Sequence, residues 1–300
     1  MSIITELGKC PLCLQHLIVP QQTVSTEDYS FQTSDDVYNY VFCKECGLYF
    51  LENRPTPSEL SKIYPSDYSG WNKRTRHMFW MRSKNFQSKF LNTLPPENAN
   101  VLDFGCGNGE FLRSIEALTA KSIGFDFSIE QVPKNVRASS KTKFVTDIHS
   151  LSANAPFDRI FLLQSIEHLP DPLQTMIFLR DLLVVGGQII IETPSRTGWD
   201  SKILPYKFWG GWHAPRHFHI WSKESIEKLS LKIDLRIKSA AYLPSPYQWA
   251  ETLKPRVNRY FRPLITSENT IFVGIFYLLD LFQISVTGKS SNLRIILVRD

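Results

Sequence analysis

Val101–Leu112, VLDFGCGNGEFL, is the stretch from which the fold can be read. An apolar strand runs into Asp103, a turn with Gly105, Gly107 and Gly109 follows, and a helix opens at Glu110. This order suits a nucleotide site, because glycines let the backbone approach a ligand and a helix N-terminus offers unpaired N–H donors. Two phosphate-binding patterns are excluded. A dinucleotide fingerprint needs a glycine one place beyond Gly109, where Glu110 stands, and no Gly-Lys-Ser/Thr follows to hold a triphosphate with its magnesium.

Outward from the turn, SIGFDFS ends a second strand at Asp126, FVTDIHS ends a third at Asp147, FDRIFLLQSIEHLPDP reads as strand four with its loop, and GGQIIIETP as strand five. The D-x-G-x-G turn with these motifs in this order resembles class I S-adenosylmethionine (SAM) methyltransferases. That resemblance implies an α/β, Rossmann-like, seven-stranded sheet with one antiparallel member. It also implies cofactor contacts from Asp103, Phe104, Gly105, Cys106, Gly107, Asp126, Phe127, Asp147, Ile148 and Gln164. Asp126 would accept from the ribose hydroxyls, as an acidic residue after the second strand does in nucleotide-binding sheets. Asp147 would sit at the adenine amino group.

The remaining pattern alternates strand and helix: Ala99–Phe104, helix Glu110–Leu118, Lys121–Asp126, helix Ile129–Arg137, Lys143–Thr146, Arg159–Leu163, helix Pro172–Val184, Gln188–Glu192. Gly186 and Gly187 read as the stop of the helix before strand five. Helix Lys223–Leu231 and strands Leu235–Ala241 and Leu293–Val298 complete the domain, 96–300, with insertions at about 195–221 and 244–288. The first insertion leaves the sheet beyond a strand's carboxyl end, where such folds bind ligands, and is expected to build the acceptor pocket.

Four of the five cysteines form two C-x-x-C pairs, Cys10/Cys13 and Cys43/Cys46, within a small module over residues 1–55. Four thiolates complete a tetrahedral zinc shell, and a closed shell makes the metal structural; a pair of disulfides is the alternative. Residues 56–95 read as a linker and helical lid. Its Y-P-x-D-Y segment is similar to one found before the cofactor domain in methyltransferases of sugar, polysaccharide and small-molecule pathways, which makes Tyr64 and Tyr68 candidates for covering cofactor or acceptor.

The 300 residues carry a net charge of +5, with 21% charged and 43% hydrophobic positions, ordinary for a soluble globular chain. Residues 73–89 hold six basic and no acidic residues, which reads as a solvated helix face or a nucleic-acid contact. MSIITELGKC lacks a leader pattern, so a cytoplasmic chain is expected. The apolar run from Ile271 is short and carries Asp280, so no transmembrane span is expected. Core packing is its expected role, with a membrane or lipid-linked acceptor as the alternative.

For chemistry, FWGGWHAPRHFHIWS groups His213, His217 and His219 with Arg216 among aromatics. His213 or His217 is expected as general base and Arg216 as anchor for an acidic or phosphate group; tying the loop to the sheet is the alternative. His168, in an E-H-x-x-D-P run similar to that of related O-methyltransferases, is the other base candidate. Glu167 beside it adds one further possible metal ligand, too few for a site. The expected activity is SAM-dependent methylation, with O favoured over N or C, of a small-molecule or glycan-linked acceptor. An RNA methyltransferase using the zinc module and residues 73–89, and a non-catalytic interaction protein, are the alternatives.

Overall fold

The computed structural model describes residues 4–14, 22–64, 93–203, 206–257 and 270–300. Within the first part, strands β1 (Ile4–Glu6), β2 (Thr23–Thr26), β3 (Tyr38–Phe42), β4 (Tyr49–Leu51) and β5 (Asn53–Pro55) precede a short helix α1 (Leu60–Ile63). The larger part follows as β6 (Ala99–Phe104), α2 (Glu110–Ile115), β7 (Thr119–Phe125), α3 (Lys134–Arg137), β8 (Thr142–Val145), β9 (Phe157–Leu163), α4 (Pro172–Asp181) and β10 (Leu183–Pro194). Then come α5 (Asp200–Ile203), β11 (His219–Ile220), α6 (Lys223–Lys232), β12 (Arg236–Tyr242), α7 (Pro246–Leu253), α8 (Thr270–Thr287) and β13 (Asn292–Val298).

The main sheet has seven strands in the order β12-β13-β10-β9-β6-β7-β8. Strand β13 runs antiparallel to both neighbours, and β10, β9, β6, β7 and β8 are mutually parallel. Alternate side chains of its strands enter different cores. Leu102, Ile160, Ile189, Ile191, Leu293, Ile295 and Leu297 share one cluster, whereas Val101, Phe161, Ile190 and Ile296 join Leu112 and Ile115 in another. That period of two, with both faces covered, explains why the strands read as continuous apolar runs.

Local chemistry sets the helix starts. Asp171 caps α4 by accepting from Gln174 N–H at 3.1 Å with Pro172 at the first turn, and Ser222 and Ser225 form a reciprocal capping box at α6. Two expected boundaries are corrected. The helix expected over Ile129–Arg137 is only α3, because Pro133 is extended and serves as its N-cap. Helix α4 ends at Asp181, and Gly186–Gly187 lie inside β10 at an irregularity between Leu183 and Gln188, with Gly186 at φ +76°.

The first module does not stand apart from the insertion after β10. Strand β11 pairs with β4, giving a four-stranded antiparallel sheet β11-β4-β3-β2. Trp209, Trp212 and Phe218 fill one core with Tyr38, Tyr40 and Leu51. The Tyr40 hydroxyl donates to the carbonyls of Trp212 (2.8 Å) and His217 (2.6 Å). No helix among the described residues is long and apolar enough to cross a membrane.

Candidate functional site

Strands β6 and β7 end side by side, and the glycine turn closes over them. Gly105 and Cys106 N–H both donate to Phe125 O, at 2.8 and 2.9 Å. Gly105 sits at φ +86°, and a Cβ there would lie 2.4 Å from Ser165 Oγ, so only glycine lets the turn pack on the segment after β9. Gly107, at φ +52°, has nothing within 4 Å of where its Cβ would stand. Its N–H donates to Asp126 Oδ2 at 2.9 Å, which fixes this carboxylate beside the turn with acceptor capacity remaining.

Asp103 is 2% exposed, and its Oδ1 has no hydrogen-bond partner among the described residues. Burial, with the charge of Asp126 adding to it, raises its pKa to about 8. Burial also raises that of Asp126, against the lowering effect of backbone donors from Gly107, Ser128 and Phe127. A buried, unpartnered acceptor beside open space at Gly107 fits a ligand bearing positive charge, as a sulfonium donor with its amino group does.

Of the other expected contacts, Asp147 is exposed and accepts from His149 N–H at 3.0 Å, and Ile148 is half-buried. Phe127 is 76% exposed. Gln164 takes φ +57° at the end of β9 and donates to Asn292 Oδ1 at 3.1 Å. Phe104 and Cys106 turn their side chains inward. Phe104 is core, stacked on Phe125 at 4.6 Å, and the Cys106 side chain is buried under the turn, where burial pushes its thiol far up.

The three candidate bases converge. The rings of His168 and His217 lie 4.7 Å apart, and those of His213 and His217 4.9 Å. Backbone pairing brings this about: Phe218 N–H donates to Glu167 O at 2.7 Å, clamping the insertion onto the segment after β9. His168 Nδ1 donates to Arg216 O at 2.9 Å and His217 Nδ1 to Gly211 O at 2.8 Å, which leaves each Nε2 as the lone-pair nitrogen. Burial lowers the pKa of His168 to about 4 and that of His217 well below its ordinary value. Tyr64 reaches the cluster, its hydroxyl 3.3 Å from His168 Nδ1. Tyr68 and the basic segment 73–89 lie outside the described residues. His219 is buried with neither ring nitrogen bonded among the described residues.

The anchoring role expected of Arg216 is corrected. Its side chain is fully buried, with NH1 and NH2 each 3.0 Å from the carboxylate oxygens of Asp28, a residue of the first module. The fork that would bind an acidic acceptor is committed to holding the two parts of the chain together. Asp28 and Glu167 are the residues here that sequence reasoning undervalued; the only signal for Glu167 was its place beside His168.

In the first module, Cys10 Sγ lies 3.5 Å from Cys46 Sγ, and Cys13 Sγ 3.5 Å from Cys43 Sγ, all four within 4.8 Å of one another. All are free thiols, far beyond the ~2.05 Å of a disulfide. Four sulfurs about 2.3 Å from a tetrahedral zinc stand about 3.8 Å apart, so the donor set fits that metal. The hydrogen bond from Cys46, outweighing burial, lowers the Cys10 thiol to about 5 and makes it the first to ionise.

Sheet order, glycine turn and the paired carboxylates define a class I SAM-methyltransferase fold. Residues 71–240, more than half of the chain, match a family described as "Methyltransferase domain", and the chain belongs to that family. It is 29% identical over 138 residues to a ubiquinone biosynthesis O-methyltransferase of Cereibacter sphaeroides, covering 43% of this chain and 56% of that protein. It is 33% identical over 104 residues to a tRNA U34 carboxymethyltransferase of Nautilia profundicola, covering 32% and 35%. The chain thus spans about half the length, or less, of these curated relatives. Among solved structures, the [4+2]-cyclase SpnF superposes with a TM-score of 0.53 at 14% identity, over 82% of this chain and 97% of that one, a likeness of fold alone.

Proposed function

We propose that the protein is a SAM-dependent methyltransferase acting on a hydroxyl oxygen of a small-molecule acceptor, glycan-linked acceptors included, with a structural zinc ion in the four-cysteine cluster. The observation that carries this reading is the buried, unpartnered Asp103 beside the Gly107–Asp126 hydrogen bond at the ends of β6 and β7, in a chain of the methyltransferase-domain family. Asp103, Asp126 and Asp147 would hold the cofactor, which supplies an electrophilic methyl group. Tyr64 and the imidazoles of His168, His213 and His217 line the side from which the acceptor enters. The imidazoles of His168 and His217, kept uncharged by burial, suit a hydroxyl, whose proton must leave as the methyl is transferred. Positioned proton acceptors contribute about 10²- to 10⁴-fold, and alignment of the two reactants contributes more.

Calorimetry with SAM and with its demethylated product, followed by transfer of labelled methyl to a panel of hydroxylated acceptors, tests the reading. Heat with both ligands and label in an ether product is expected. The absence of heat with either ligand would refute it.

A further inference from the structure

With Arg216 committed to Asp28, a different arginine of the insertion has its hydrogen-bonding edge unfilled. Arg196 comes two residues after β10, at the carboxyl end of the sheet, where open α/β folds bind their ligands. The chain on either side of it is pinned: Ser195 N–H donates to Ser291 O at 3.0 Å, and Thr197 Oγ to Ser290 O at 2.6 Å. The guanidinium carbon lies 4.0 Å from the ring centre of Tyr206, 5.4 Å from that of Tyr49 and 5.7 Å from that of Trp212. Tyr49 and Trp212 are buried and Tyr206 is 52% exposed, so the cation is held by two inner rings and one outer ring.

These rings supply no counter-charge. Arg196 Nη1 donates to the Tyr49 hydroxyl at 2.9 Å, and among the described residues no carboxylate or carbonyl oxygen accepts from this side chain. Nε is buried without a partner, and Nη2 bonds to none of the described residues either. Other buried or half-buried arginines do find such an oxygen: Arg54 donates to Pro170 O, Arg216 to Asp28, Arg294 to Glu192 and Arg299 to Leu183 O. Nε and Nη2 form the edge of a guanidinium that receives both oxygens of a carboxylate or phosphate side-on. Aromatic faces fix the cation and keep water from screening it, which strengthens an ion pair made there. For packing alone, an unfilled fork on a half-buried charge costs more than an apolar side chain of similar shape.

We infer that Arg196 is an oxyanion subsite, taking a carboxylate or phosphate of the acceptor at a distance from the hydroxyl that receives the methyl. Its surroundings lead to the histidine cluster. Trp212 directly precedes His213, and Thr193, three residues before Arg196, donates to Oε2 of Glu167, the neighbour of His168, at 2.9 Å. That the anion belongs to the methyl acceptor rests on the methyltransferase reading; the binding of an oxyanion at Arg196 does not.

Nitrogen-15 NMR of the arginine Nε–H groups in the full chain tests the subsite, with inorganic phosphate and acetate as probes at constant ionic strength. The Arg196 signal, assigned through bonds from its own backbone amide, should shift and saturate with at least one probe, and the stronger response tells a phosphate site from a carboxylate site. The Arg216 signal, whose fork is held by Asp28, should stay in place. A shift at Arg196 that never saturates, or that is no larger than the shift at Arg216, would overturn the inference. In transfer of labelled methyl, Arg196→Gln should raise KM about tenfold or more for hydroxylated carboxylates or phosphates, and leave KM for their neutral counterparts, kcat and binding of the demethylated cofactor within about twofold. An equal loss on charged and neutral acceptors would reduce Arg196 to packing and also overturn it. If Arg196→Gln does not fold, the wild-type titration decides alone. A saturable shift without any heat from SAM would sink the methyltransferase reading and leave the subsite standing; heat from SAM without the shift would do the reverse.

Discussion

Replacing Asp28 by Asn should loosen the join between the first module and the insertion after β10. Both side chains of the Asp28–Arg216 pair are fully buried, their two contacts are 3.0 Å, and the guanidinium also lies 4.5 Å from the Phe31 ring centre. Asp28 further accepts from Phe31 N–H at 3.0 Å and Thr33 N–H at 2.9 Å. Asn keeps the shape but leaves the Arg216 charge buried and uncompensated, which costs about 3–5 kcal/mol where a buried pair loses one partner. Urea unfolding followed by tryptophan fluorescence reads this directly, since Trp209 and Trp212 sit in the shared core. The double variant Asp28→Asn/Arg216→Met should recover part of the loss, because no charge is then stranded and the Asn oxygen still accepts a loop N–H. Acid provides a second test. Burial raises the Asp28 pKa, but Arg216 and the Thr33 donors outweigh it, so the folded value lies below 3.8. The pair's contribution is therefore complete above the unfolded value and is lost as pH falls through the folded one. A loss under about 1 kcal/mol for Asp28→Asn, the range of solvated surface pairs, would refute the reasoning.

Cofactor binding should release a proton. Asp103 keeps its proton up to about pH 8 in the free protein, and a cationic ligand favours the carboxylate, so affinity should rise from pH 6 to 8 and then level. Calorimetry in buffers of different ionisation heat checks this, and buffer-independent heat would contradict it. Gly105→Ala should destabilise the chain by about 1–3 kcal/mol from backbone strain alone, with the Ser165 contact added, and a melting temperature equal to wild type would argue against the turn described. Stripping metal from the four cysteines should lower the melting temperature, and Cys43→Ser should release about one zinc per chain; metal content indifferent to that substitution would rule the cluster out.

The sheet was legible because its central strands are buried on both faces. Val101–Phe104 and Ile189–Ile191 have no polar face to confuse the reading apart from Asp103, whose oddness was itself the signal. Punctuation was read less well. Pro133 and Gly186 are each compatible with a helix boundary or an irregular extended segment, and tertiary pairing chose the second at Gly186. Residues in the histidine cluster could be nominated one by one from their motifs. Their meeting could not, since it depends on the backbone bond from Phe218 to Glu167. The tie made by Arg216 could be named only as an alternative for the same reason: its partner Asp28 lies 188 residues away and leaves no local trace.

Strand β11 has a consequence for how such proteins diversify. Two residues from the later half of the chain finish a sheet begun near its start, so the head is not a cassette that can be exchanged at residue 55. A chimera made there would leave the recipient's loop without the edge it zips onto, while the donated head would lack its outermost strand. Recombination that preserves the fold has to carry both stretches together, and any change in that loop is tied to the evolution of the head.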